Sequence, residues 1–112
     1  MTNHKKLAIP GLKALRKLGQ DINDARRRRR ITIRLMAERS GLSRGTIGRI
    51  EKGDPSTSIG SYVAVLFVLG MVDQVSRLVD SANDLKGRLL EDEKLPERIY
   101  LPRKRKIDKK DE

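Results

Sequence analysis

Apolar residues recur at helical spacing along much of the chain, which predicts an all-α protein. The first pattern runs from Leu12 to Ala25 and follows Pro10 and Gly11, which mark the start of a helix. A later stretch from about Ile59 to Leu69 is apolar nearly all round, so we expect it to form the central core helix. A shorter helix is expected from about Val72 to Ala82. The residues that this central helix is expected to present to the core are Val63, Leu66, Phe67 and Leu69.

The segment from Thr32 to Glu51, TIRLMAERSGLSRGTIGRIE, predicts two short helices joined by a tight turn. Gly41 suits the positive φ that follows a helix end, and Ser43 suits the cap that starts the next helix. Ile47 and Ile50 supply the apolar stripe of that second helix. Two helices joined by a glycine turn indicate a helix-turn-helix.

The outward face of the second helix carries small, hydroxylated or basic residues, which favours DNA reading. A helix about 10 to 12 Å across fits the major groove, where each base pair shows a distinguishable pattern of donors and acceptors. Arginine can bind guanine with two hydrogen bonds, and glycine lets the backbone approach the groove closely. The alternative is an ordinary surface helix of a helical hairpin. The predicted base-reading residues are Arg44, Gly45, Thr46, Gly48 and Arg49.

Charge agrees with a nucleic-acid partner. The 112 residues carry a formal net charge of +11 at pH 7, which favours partners that bear phosphate. An anionic membrane would attract the same charge, but no apolar run reaches the roughly 18 residues that a spanning helix needs. Residues 1–17 also lack the pattern of a secretory signal. We therefore expect a cytoplasmic, nucleoid-associated protein that binds double-stranded DNA and no membrane.

An enzyme is not expected. His4 is the single histidine and the chain has no cysteine, so the sequence offers no catalytic triad and no cluster of histidine or thiolate metal ligands. We predict no catalytic residue, no metal and no cofactor. The alternative to specific DNA binding is a protein-binding antitoxin or adaptor whose DNA binding is non-specific and driven by charge.

From Leu18 to Gly70 the chain resembles the Xre or Cro/repressor-type helix-turn-helix family, most specifically in GLSRGTIGRIEKG. The resemblance implies a compact five-helix, lambda-repressor-like domain in a transcriptional repressor. Ile33 stands where the family often has Gln, so Arg34 becomes the candidate for a contact there. The basic run Arg26 to Arg30 either reaches the DNA backbone or remains a solvated face. The predicted phosphate contacts are Ser43, Lys52, Arg34, Arg27 and Arg28.

Arg26 and Glu51 match an arginine and a glutamate that commonly form an internal ion pair in that family. The resemblance thus implies a structural role for both residues. The alternative is two independent solvated charges, because exposed ion pairs contribute little.

The C-terminal sequence LPERIYLPRKRK, from Leu95 to Lys106, places β-favouring residues between two prolines. It predicts either a short edge strand, which would pair with a second copy of the chain, or a disordered tail. The apolar stripe of the fifth helix either meets a partner chain or packs on the first helix. The predicted dimer or partner residues are Val75, Leu78, Val79, Ile99, Tyr100 and Leu101.

The IEKGDPS turn, the apolar fourth helix and this tail together resemble HipB-like antitoxins, which are encoded with a HipA-like kinase toxin. The resemblance implies a homodimeric autorepressor that reads a palindromic operator and also binds a toxin kinase. We predict a flexible N-terminus over residues 1–11, a helix-turn-helix domain over 12–82, and a dimerisation or partner segment with a basic tail over 83–112.

Overall fold

Five α-helices make up the first of two units, which ends at Arg77. The computed structural model describes residues 7–91, and within that range it contains helices and no strand. The predicted all-α helix-turn-helix fold is therefore confirmed. The helices of the first unit are α1 (Ile9–Arg28), α2 (Ile33–Ser40), α3 (Arg44–Glu51), α4 (Ile59–Val68) and α5 (Val72–Ser76).

Side-chain caps and glycine turns set the bounds of the central helices. The side chains of Thr32, Ser43 and Ser58 each accept a hydrogen bond from the backbone N–H three residues later, at the starts of α2, α3 and α4. Each cap satisfies an amide that has no partner within its own helix. Gly41 has a φ of 77° between α2 and α3, and Gly70 has a φ of 78° after α4. The predicted cap and turn of the helix-turn-helix are confirmed.

The hydrophobic core lies where α1, α2, α3 and α4 meet. Met36, Ile47, Ile50 and Val65 are fully buried, and Ile22 of α1 completes the centre of the cluster. Burial of each such side chain contributes about 1.5 to 3 kcal/mol. Because two of these residues lie on α3, the same packing that stabilises the domain fixes the outward face of that helix.

The start of the first helix differs from the prediction. Helix α1 begins at Ile9, so Pro10 and Gly11 lie in its first turn and not before it. A proline is compatible with this place because the first amides of a helix have no intrahelical partner, and its fixed φ is already helical.

Helix α4 is buried on one face only. Tyr62 and Val65 are buried, but Ile59 and Phe67 are 73% and 69% exposed. The expectation that Phe67 lies in the core is wrong: the strongly apolar composition of this helix hides which face packs, and the neighbouring helices cover only one side of it.

The fifth helix is shorter than predicted. Helix α5 ends at Ser76, so the predicted extension to Ala82 is wrong. In the second unit, which begins at Leu78, a 3₁₀ helix (Ser81–Asn83) and helix α6 (Leu85–Leu90) follow. The side chains of Asp80 and Asp84 cap these two short helices. The 3₁₀ helix therefore starts separately from α5, where the apolar spacing predicted one continuous helix.

The predicted C-terminal strand or tail lies outside the described residues. Ile99, Tyr100 and Leu101 belong to that part of the chain, as does the beginning of the predicted flexible N-terminus. Over residues 7–91, none of the helices is both long and apolar enough to cross a bilayer.

Candidate nucleic-acid interface

Helix α3 has one buried and one outward face. Ile47 and Ile50 are fully buried, whereas Arg44, Gly45 and Arg49 are exposed. Thr46 and Gly48 are half-buried on the same outward side. With eight residues the helix is about 12 Å long, which suits contact with a few successive base pairs in one groove.

The two glycines leave part of this face without side chains. A Cβ atom built at Gly48 would meet no atom within 4 Å. At Gly45 the nearest atom would be Nη1 of Arg49, at 3.7 Å. The backbone of α3 is therefore accessible to another surface at both positions, and nothing in the fold requires glycine there for packing.

A chain of hydrogen bonds links the polar residues of the outward face. The Ser43 hydroxyl donates to Oγ1 of Thr46 at 3.0 Å, in addition to capping the helix. Nη2 of Arg49 donates to the same Thr46 oxygen, also at 3.0 Å. The Arg49 side chain is 57% exposed, so its remaining N–H groups are accessible while one is already bonded.

Asp54, which the sequence analysis did not select, lies beside Arg49. Its Oδ2 is 3.8 Å from Nε of Arg49. The same carboxylate accepts hydrogen bonds from the Ser56 backbone N–H at 3.1 Å and from the Thr57 hydroxyl at 2.8 Å. These bonds, the one from Thr57 first, hold the pKa of Asp54 below its usual value, and the charge of Arg49 adds to the effect. In the sequence, the string DPST that begins at Asp54 is typical of an Asx turn and could have identified this residue.

Arg44 and Lys52 lie at the two ends of α3, and both are exposed. Neither side chain forms a hydrogen bond or an ion pair with any other residue in the part of the chain that the structure describes. Both cations are thus available to an anionic or acceptor-bearing ligand without breaking a contact among those residues.

The remaining predicted phosphate contacts lie on other helices. Arg34 of α2 is exposed and 3.8 Å from Glu38, and Arg27 of α1 is exposed and 3.9 Å from Asp24. Arg28, also of α1, is exposed. Exposed ion pairs contribute about 0.2 to 1 kcal/mol, so these pairs would yield readily to a phosphate group.

The Arg26–Glu51 pair is internal. Nε of Arg26 is 2.6 Å from Oε2 of Glu51, and both side chains are less than a tenth exposed. Nη2 of Arg26 also donates to Oε1 of Glu51, at 3.1 Å, and Asn23 donates to the same oxygen at 2.7 Å. Nη1 of Arg26 donates to the carbonyl of Ile31 at 2.8 Å. The alternative of two solvated charges is therefore wrong for these residues, and the end of α3 is held against α1.

Two glycines allow this close approach of α1 to the end of α3. A Cβ at Gly19 would lie 2.6 Å from the carbonyl oxygen of Ile50. At Gly53, where φ is +75°, a Cβ would lie 2.5 Å from the carbonyl oxygen of Leu15. Neither position could be identified from the sequence, because the clash exists only once the two helices pack together.

The predicted partner residues are covered to different extents. Val75 of α5 is half-buried within the first unit. Leu78 and Val79 of the second unit are 66% and 84% exposed.

Comparison with known proteins gives one family. Residues 22–70, from within α1 to the turn after α4, match the family described as HTH_3, Helix-turn-helix. No curated protein and no solved structure matches the chain.

Proposed function

We propose that this Xre-like helix-turn-helix protein, a DNA-binding transcription regulator, is a sequence-specific repressor that binds double-stranded DNA as a homodimer. Helix α3 enters the major groove, where Arg44, Thr46 and Arg49 read base edges. Gly45 and Gly48 let the helix backbone approach the groove closely. Ser43, Lys52, Arg34, Arg27 and Arg28 contact phosphates and set the register.

The outward face of α3 carries this proposal. Arg49 is at once exposed and held by Thr46 at 3.0 Å, so a base-reading group is partly ordered before DNA arrives. Ordering a reading side chain in advance lowers the entropy lost on binding. The buried Arg26–Glu51 pair adds support because it holds α3 in one orientation.

A dimer follows from the size of the reading surface. One eight-residue helix contacts only a few base pairs, and two copies related by a two-fold axis would reach successive grooves about 34 Å apart. The operator would then be palindromic. The exposed apolar side chains of Leu78 and Val79 support contact with another chain.

The test is a titration of the purified full chain against short duplexes that tile the DNA upstream of its own gene, with a shuffled duplex as the control. We expect one tile to bind about a thousandfold more tightly than the shuffled duplex, as specific regulators do, which would place an operator upstream of the protein's own gene, as autoregulation requires. Equal and steeply salt-dependent binding to every duplex would overturn specific reading and leave only binding driven by charge.

We further propose that the protein is an antitoxin that binds a HipA-like kinase. The support is the HipB-like resemblance of the sequence, together with five exposed apolar residues in the second unit: Leu78, Val79, Leu85, Leu89 and Leu90. Co-purification of a kinase with the tagged protein from its native host, and loss of that kinase when Leu89 and Leu90 are replaced by serine, would support this role. Repeated purification without a partner would contradict it.

A further inference from the structure

We infer that Asp54 is a positioning residue for base reading: it holds Arg49 in the orientation in which that arginine discriminates between base pairs. The inference rests on the proposed function, since it concerns how α3 reads DNA. The Asp54 carboxylate lies on a surface that otherwise attracts a polyanion. A negative charge there weakens that attraction, so its presence indicates a function of its own.

The contacts of Asp54 tie Arg49 to the turn after α3. The carboxylate is 3.8 Å from Nε of Arg49 and is itself fixed by Ser56 and Thr57, at 3.1 and 2.8 Å. Tyr62 donates to the backbone carbonyl of Asp54 at 2.8 Å, which anchors the turn to α4. The Asp54 side chain is 22% exposed, less than half the 57% of Arg49.

Arg49 is therefore held from two sides. Thr46 accepts from Nη2 on the helix itself, and Asp54 faces Nε from the following turn. An arginine has several rotatable bonds, and a second restraint removes orientations that a single hydrogen bond would allow. A bidentate contact with guanine requires the planar guanidinium in a defined orientation, so the restraint acts on discrimination between base pairs.

The test uses the Asp54→Asn variant of the full chain. Asparagine keeps an acceptor oxygen for the Ser56 N–H. Its amide nitrogen replaces Oδ2, so the variant loses the charge that faces Arg49 and the acceptor of the Thr57 hydroxyl. The probes are a duplex enriched by the wild type from a randomised library and its single-base-pair variants. Discrimination is the ratio of the affinities for the preferred duplex and for a single-base-pair variant. Arg49→Ala identifies the base pair at which this ratio is lost. At that base pair we expect Asp54→Asn to lower the ratio about twofold to fivefold relative to the wild type, the range of a partly exposed ion pair.

A double-variant comparison separates positioning from a general effect on the fold. In the Arg49→Ala background, Asp54→Asn should change discrimination no further, because the group it positions is gone. Asp21→Asn is the matched control, since it removes the same charge from a carboxylate paired with Lys17 on α1, and it should leave discrimination unchanged. An Asp54→Asn variant with wild-type discrimination, or an equal loss in both backgrounds, would overturn the inference.

The order of the Arg49 side chain in the free wild-type protein tests the same restraint without a variant. The Nε–H order parameter of Arg49, measured by nitrogen-15 relaxation, should exceed that of Arg44, whose side chain has no hydrogen-bond or ion-pair partner among residues 7–91. Equal values would overturn the inference. If the wild type enriches no sequence from the library, both the proposed function and this inference fail. If it enriches a sequence but Asp54→Asn discriminates between base pairs as well as the wild type, only the inference fails.

Discussion

The guanidinium of Arg26 and the carboxylate of Glu51 meet at 2.6 Å in a buried pair that joins the end of α1 to the end of α3. Arg26 also donates to the carbonyl of Ile31, so one side chain connects α1, α3 and the segment that precedes α2. A buried ion pair has a large desolvation cost and adds little net stability over an apolar pair. Its effect here is to fix the end of α3 relative to α1.

Removal of one partner of this pair should be strongly destabilising. We expect Glu51→Ala to lower the free energy of unfolding by about 3 to 5 kcal/mol, because it leaves the Arg26 charge buried without compensation. Chemical denaturation followed by circular dichroism measures the change. Asp24→Ala is the control, since its partner Arg27 is exposed, and it should alter the free energy of unfolding by less than about 1 kcal/mol. Similar small losses in both variants would contradict the structural role of the pair.

Gly19→Ala should destabilise the domain even though alanine favours helices. The added Cβ would lie 2.6 Å from the Ile50 carbonyl oxygen, a backbone atom that cannot move without displacing α3. We expect a loss of about 1 to 3 kcal/mol in the free energy of unfolding, as for other overpacked sites. A variant as stable as the wild type would show that α1 and α3 do not approach so closely.

Gly48→Ala should separate stability from DNA binding. The new Cβ meets no atom within 4 Å, so the variant should gain about 0.5 to 1 kcal/mol of stability from the better helix propensity of alanine. The same methyl group would occupy the face that approaches the groove, so affinity for the preferred duplex should fall. Thermal melting and a DNA titration of the same sample measure both effects. Unchanged affinity in a stabilised variant would contradict close approach of the backbone at this position.

Tyr62→Phe should reveal how the stability contributed by one buried hydroxyl depends on pH. The Tyr62 hydroxyl donates to the Asp54 carbonyl at 2.8 Å, and its loss should lower the free energy of unfolding by about 0.5 to 1.5 kcal/mol at neutral pH. Burial first, and then the nearby Asp54 charge, raise the pKa of Tyr62 above its ordinary value of 10.0.

The sign of the pH dependence follows from that shift. The folded pKa is above the unfolded one, so the contribution is complete below the unfolded pKa and is lost as the pH rises through the folded pKa. The difference in unfolding free energy between the wild type and Tyr62→Phe should therefore shrink in alkaline solution above the ordinary tyrosine pKa. A difference that stays constant across that range would contradict the shift.

Features set by local sequence were predictable. The caps at Ser43 and Ser58 and the glycine turn at Gly41 depend on residues only a few positions apart, and the buried stripe of Ile47 and Ile50 follows from helical spacing. The Arg26–Glu51 pair spans 25 residues, and only the resemblance to a family indicated it.

Features set by tertiary packing were not predictable. The requirement for Gly19 exists only where α1 meets α3, and the exposure of Phe67 depends on which side of an almost wholly apolar helix its neighbours cover. The position of Asp54 beside Arg49 likewise depends on the conformation of the turn between α3 and α4. Helix α6 was missed because its start depends on a single aspartate cap within a mostly polar segment.

In the proposed complex, the outward side chains of α3 read bases while the basic residues around them contact phosphates. The decisive measurement is fluorescence anisotropy with the preferred and the shuffled duplex at several salt concentrations. It compares the wild type with Arg49→Ala, Arg44→Ala and Lys52→Ala. We expect each arginine variant to lose about 1 to 3 kcal/mol of binding free energy, mainly for the preferred duplex. Lys52→Ala should weaken both duplexes alike and flatten the salt dependence. Equal losses on both duplexes for the arginine variants would contradict base reading by α3.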